Sequence, residues 1–153
     1  MMRRRSLRQR SSRCGRDAMS IEAMQVGATA RGSVRCTPEH FASRIVAGTP
    51  DVFSTPALGA LVEKTAAEWM AGFLDAGQMT VGTQIVINHT GATPEGMEVT
   101  AEVRLVAVDG RRFHFEWTAH DGAEQVGHGT HQRFVVDRAR FEGRLAAKRA
   151  GAS

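Results

Sequence analysis

The sequence has little cysteine, no long apolar run and no internal repeat, and each absence removes a class of protein. Only Cys14 and Cys36 occur among the 153 residues. They lack metal-site spacing and no disulfide framework surrounds them, so the pattern indicates a reducing, cytoplasmic compartment. No apolar stretch approaches the ~20 residues that a membrane-spanning helix needs. The N-terminus has no apolar central region of the secretory kind. Acidic residues are nearly missing from the start: "MMRRRSLRQRSSRCGRD" holds seven arginines and one aspartate, a local +6. The whole chain carries +4, so the remainder carries 4 − 6 = −2. The basic character therefore belongs to the first seventeen residues and not to the rest of the chain.

That segment reads as a nucleic-acid-binding arm or a transit-like leader. A plainer reading is a disordered extension, or one that is not translated, since Met19 and Met24 offer later starts. The plainer reading carries no nucleic-acid partner. Residues 1–24 show no hydrophobic periodicity and are expected to be disordered. The chain as a whole is 42% hydrophobic and 24% charged, and has the composition and length of one soluble globular domain.

Val26–Cys36 reads as a weak strand. "TPEHFASRIVAGTPDVF" carries two Thr-Pro pairs and reads as a loop. "STPALGALVEKTAAEWMAGFLDAG" is the clearest helix. Thr55 is placed as N-cap, Pro56 as first helical residue, and Gly77 as terminator. The period then changes from 3.6 to 2. In "VGTQIVINHTGATPEG", Val81, Thr83, Ile85 and Ile87 alternate with Gly82, Gln84, Val86 and Asn88, and the apolar face ends on His89. Met97–Gly110, Arg111–Gly122 and Glu124–Asp137 are three further strands, with hairpin turns at Asp109-Gly110 and Asp121-Gly122. Residues 138–149 form a short helix. One long helix and a four-strand antiparallel meander give an α+β fold of the hot-dog type, a sheet wrapped around a central helix. Its domain is placed at 25–141, followed by a helical tail at 142–153. Uncovered strand edges call for a homodimer.

Glu63 shares a helix stripe with Gly59, Ala60, Ala66, Ala67 and Met70. Small neighbours let a ligand or another backbone approach, and a partly desolvated carboxylate suits base chemistry. The alternative is a solvated glutamate, since Lys64 and Glu68 mark a wet side. Thr55 explains itself as a cap, yet a hydroxyl at a helix N-terminus also sits where negative charge is favoured. His89 is a strand-end histidine that serves either structure or proton transfer. Imidazole, carboxylate and hydroxyl together are the set that activates water or a hydroxyl against a carbonyl. No metal site is expected: His128 and His131, three apart in a strand, point to opposite faces. His114 and His120 share a face but have no Cys or Asp partner.

"VFSTPALGALVEKTA", "VGTQIVINHTGATPEGMEVTAEVRLVAVDGRRFHF" and "AHDGAEQVGHGTHQRFVVD" together resemble the fluoroacetyl-CoA thioesterase-like family of hot-dog thioesterases. The resemblance spans Val26 to Phe141. It implies an acyl-CoA thioesterase with Thr55, Glu63 and His89 as catalytic residues. It also implies Gly82 beside the thioester and Arg133 holding the substrate on its CoA side. No cofactor is implied, because CoA is part of the substrate. The fluoroacetyl-specific enzymes place phenylalanines in the loop before the threonine. Here Val46 and Thr49 stand at those places and only Phe53 remains, which argues against fluoroacetyl selectivity. The alternatives are a non-catalytic acyl-CoA-binding hot-dog protein, a hydratase or dehydratase, whose usual Asp/His pattern is missing, and a nucleic-acid binder resting on the tail alone.

Overall fold

The computed structural model describes residues 20–152. Cys14 and the basic segment with its seven arginines lie outside them. The last residues of the expected disordered extension are ordered instead. Ile21–Ala23 form a 3-10 turn, and Met24 is buried in the core. The sequence hides this because one apolar side chain in a short turn leaves no periodic signal.

Besides two further 3-10 turns, Pro38–His40 and Ala42–Arg44, the remaining elements are five strands and two α-helices: β1 (Thr29–Arg35), α1 (Thr55–Ala71), β2 (Gln78–His89), β3 (Glu98–Asp109), β4 (Arg112–His120), β5 (Gln125–Asp137) and α2 (Arg138–Ala150). They build one antiparallel sheet in the order β1-β3-β4-β5-β2, curled against α1. This is the expected hot-dog architecture, with one correction to its wiring. Only β3, β4 and β5 form a meander; β2 does not pair with β3 but crosses to β5. The connection 90–97 is no hairpin turn. It spends its N–H groups elsewhere, Thr90 and Gly91 on the Val126 carbonyl and Gly96 on the Cys36 carbonyl, and so spans the end of the sheet. The two expected Asp-Gly turns do occur, and Gly110 takes a φ of 59° that an L side chain would resist.

Alternation along β4 places Phe113, Phe115, Trp117 and Ala119 inward, and β3 adds Val99, Ala101, Val103 and Leu105. They pack on Leu58, Leu61, Val62, Ala66 and Met70 of α1. Truncating a ring such as Phe115 to alanine in a core of this kind costs about 3–5 kcal/mol. Bulges interrupt the ladders at Gly82/Gln84, Leu105/Ala107 and Ala119/His120, and bulges of this kind bend a strand and increase its twist.

The boundaries of α1 differ from expectation at both ends. Ser54, not Thr55, is the N-cap: its Oγ accepts the Ala57 N–H at 3.2 Å, and Thr55 is already helical. Two adjacent hydroxyls before one proline are equivalent in a sequence, and backbone angles select the first. The helix ends at Ala71 rather than before Gly77. Phe73 and Leu74 bond back three residues, to the Met70 and Ala71 carbonyls, so the last apolar side chains reach the core from a tight turn. At the other terminus α2 starts directly after β5 and extends past the boundary expected after Phe141; none of its residues is buried.

Candidate active site

The start of α1 and the end of β2 meet. Thr55 Oγ1 lies 2.8 Å from His89 Nδ1, within one chain. The cap geometry makes this possible, because Ser54 satisfies the helix N-terminus and leaves the Thr55 hydroxyl to the imidazole. With Nδ1 as acceptor, the Thr55 O–H donates and the ring is neutral. His89 Nε2 is buried and has no hydrogen-bond partner among the described residues. Burial also holds the His89 pKa below the ordinary imidazole value. A neutral imidazole bonded to a hydroxyl is a base poised to take its proton.

The contact is held by residues whose supporting role no sequence signal marked. Thr93 is fully buried. Its carbonyl accepts the Phe53 N–H at 2.9 Å, and its hydroxyl donates to Asp121 Oδ2 at 2.9 Å. Asp121 Oδ1 accepts the N–H groups of Ala123 and Glu124. The loop after His89 is thereby tied both to the residue before Ser54 and to the β4–β5 turn. Phe53 is itself buried, bridged to Phe41 and tilted against His40 at 5.4 Å. The aromatic expected to remain over the acyl group is therefore a core residue. Ile45 and Val46 are the exposed apolar side chains of that loop.

Further along β2 the bulge changes which side chains share a face. Thr83 is skipped in the register, with Gly82 opposite Arg133, Gln84 opposite Gln132 and Ile85 opposite His131. Thr80 and Gly82 therefore look inward with Ile85, Ile87 and His89, and the expected common face of Val81, Thr83 and Ile85 does not exist. A Cβ on Gly82 would stand 2.9 Å from Glu63 Oε1, 3.3 Å from Arg133 Nη1 and 3.4 Å from His131 Cε1. Glycine is what lets the strand come so close to a carboxylate and a guanidinium. A similar approach occurs at Gly59, where a Cβ would meet Ile87 Cδ1 at 2.9 Å.

Arg133 is 7% exposed. It donates from Nε to Thr80 Oγ1 at 3.0 Å and from Nη2 to the Thr80 carbonyl at 3.3 Å. Its Nη1 lies 3.3 Å from His131 Nε2. Burial lowers the guanidinium pKa, and the nearby Glu63 carboxylate opposes that shift. The side chain is thus lodged beside Gly82 and not spread on the surface.

Glu63 departs from expectation in one respect: in the single chain its carboxylate is exposed, as are Thr55 and Gly82. No hydrogen bond joins Glu63 to Thr55 or His89 among the described residues. Eight residues of α1 separate it from Thr55, about 12 Å along the axis. The five expected residues therefore form two groups in one chain, Thr55 with His89 and Glu63 with Gly82 and Arg133. A pocket of about 310 Å³ lies on the other flank of the helix, against Gly32, Ser33 and Val34 of β1. His131 faces inward and His128 is exposed, and among the described residues no cluster of metal-ligating side chains is found. No described helix is long and apolar enough to cross a membrane.

Residues 36–139 match the model of a family described as fluoroacetyl-CoA-specific thioesterase. The fluoroacetyl-CoA thioesterase of Streptantibioticus cattleyicolor is 38% identical over 99 residues, 65% of this chain and 71% of that protein. A solved structure of the fluoroacetyl-CoA thioesterase superposes with a TM-score of 0.79 at 33% identity, covering 82% of this chain and 97% of the other. A hot-dog-like protein from Thermanaerovibrio acidaminovorans shares the fold at 23% identity, with a TM-score of 0.76 over 80% of this chain and 91% of its own.

Proposed function

The chain belongs to the fluoroacetyl-CoA-specific thioesterase family, and on that premise we propose that it hydrolyses a small or medium acyl-CoA thioester to the free acid and CoA. The observation that carries this reading is the 2.8 Å contact between Thr55 Oγ1 and the neutral, partly buried His89. His89 takes the proton of the Thr55 hydroxyl, or of a water that the hydroxyl orients, as that oxygen attacks the thioester carbonyl; the C–S bond then breaks and His89 returns the proton to the departing CoA thiolate. The Gly82 backbone and the buried Arg133 stabilise the developing oxyanion, and Glu63 supplies the carboxylate that assists water in release of the acid. Arg133 is too enclosed to meet the phosphates of CoA, so its role belongs to the acyl end. No metal or other cofactor is required by these groups.

The assembly is a homodimer. Among the described residues no strand lies against the outer edge of β2, a strand of twelve residues, and such an edge is normally covered. A two-fold axis beside it would carry the Thr55–His89 pair of one protomer to the Glu63–Gly82–Arg133 group of its partner, closing the gap that one chain leaves. With Phe53 in the core, the exposed Ile45 and Val46 supply the apolar cover for the acyl group, which favours acyl chains other than fluoroacetyl.

Release of free thiol from a panel of short, branched, aromatic and halogenated acyl-CoA esters tests the reaction. Thr55→Ala, Glu63→Ala and His89→Ala should each lower turnover by about 10²- to 10⁴-fold, the range for a positioned acid or base, while the dimer persists. Binding of CoA esters without thiol release would instead identify a non-catalytic carrier.

A further inference from the structure

His131 is fully buried and no step of the proposed reaction uses it. Its two neighbours account for both ring nitrogens. The Gln84 carbonyl can only accept, so Nδ1 carries the proton and donates to it at 2.8 Å. A guanidinium can only donate, so Nε2 offers its lone pair to Arg133 Nη1 at 3.3 Å. The ring is therefore neutral, with its tautomer set from both sides. Burial, and then the Arg133 charge, disfavour its protonation. The Phe115 ring lies inclined by 29° to the imidazole, with the centroids 6.4 Å apart.

The bonds form a chain from Gln84 through His131 and Arg133 to Thr80. Both ends are on β2, one on each side of the bulge, and Gly82 lies between them. Arg133 spends one N–H on His131 and two on Thr80, which among the described residues leaves two of the five donors of a guanidinium unspent, with Nη1 next to Gly82.

We propose that His131 is a positioning residue: as the acceptor for Arg133 it holds the guanidinium across Gly82, so that the two unspent N–H groups point at the thioester carbonyl. The kinetic consequence rests on the thioesterase reading; the hydrogen-bond chain does not. A residue that merely filled space would be replaceable by any apolar side chain of similar size.

Two measurements on the full chain decide it. Nitrogen-15 spectra of histidine-labelled protein near neutral pH should show His131 neutral, with its proton on Nδ1. A protonated ring or an Nε2–H tautomer overturns the proposal whether or not any acyl-CoA is hydrolysed. In kinetics, His131→Leu strands a buried donor and should lower kcat/KM by about a hundredfold, the scale of an ångström-sized misplacement. His131→Gln restores an acceptor and should recover most of the loss. In an Arg133→Ala background, His131→Leu should cost no more than about a further twofold. An equal loss in both backgrounds, or no rescue by glutamine, refutes action through Arg133. Absence of wild-type turnover with the Nδ1–H tautomer present would instead refute the thioesterase reading alone.

Discussion

At the His89 end of β2, an imidazole meets a hydroxyl inside one chain, and burial disfavours a charge on the ring. At the Gly82 end, a carboxylate and a buried guanidinium crowd a bare backbone, and the group opens to the outside. The first pair needs only the junction of a helix start with a strand end. The second needs a bulge, a glycine and a neutral histidine to hold its cation. In the proposed reaction proton transfer is thus assembled locally, whereas the charged half is assembled over long sequence distances and, in the proposed dimer, is completed by a second protomer.

The largest effect that tests this division is complementation. His89→Ala and Glu63→Ala chains, each nearly inactive alone, should regain about a quarter of wild-type activity when equal amounts are mixed and allowed to exchange. Half of the dimers are then mixed, and each of these has one of its two sites free of both lesions. No recovery despite demonstrated exchange would place both groups in one protomer's site. Gly82→Ala comes next. Its methyl would be 2.9 Å from Glu63 Oε1, so kcat/KM should fall by about a hundredfold with little change in melting temperature. Unaltered kinetics would detach Gly82 from the chemistry.

The two halves also differ in how pH addresses them. His89 must be neutral to act, and burial depresses its pKa. Activity should therefore persist below about pH 6.5, the ordinary imidazole value, and decline only as pH falls through the lowered pKa. Stability has the same sign. An imidazole harder to protonate when folded contributes stability that is present above the unfolded pKa and is lost as pH falls through the folded one. An acidic limb in kcat/KM centred at or above the ordinary value would contradict the burial. The smallest effect is Ser54→Ala, which removes the cap and should cost about 1 kcal/mol in denaturant unfolding. A loss at that position as large as Thr55→Ala produces in turnover would mean that the two hydroxyls had exchanged roles.

Much of this is legible in the sequence, for reasons that also mark where legibility stops. The period change after α1 and the Asp-Gly turns give the helix and the β3–β5 meander, because both are local signals. The residue types of Thr55, Glu63 and His89 suggest their chemistry. The crossing of β2 to β5 is not legible, because strand order depends on where the connection 90–97 places its hydrogen bonds. Neither is the choice of Ser54 over Thr55 as cap. Thr93 carries no motif of its own and Asp121 shows only as a turn residue, and their role beside the site appears only when the loop after His89 lies against Phe53. His131 shows in the sequence only as a histidine three places from His128, since its partners Gln84 and Arg133 come together through strand pairing and the bulge.

A strand is read in a frame of two, one residue in and one out. Thr83 is a single uncounted letter in that frame. Were Thr83 paired like its neighbours, Gly82 would fall in the same phase as Val86 and Asn88, facing away from α1, while His89 kept its place. One residue left out of the pairing thus decides whether the carboxylate and the guanidinium have any backbone to share.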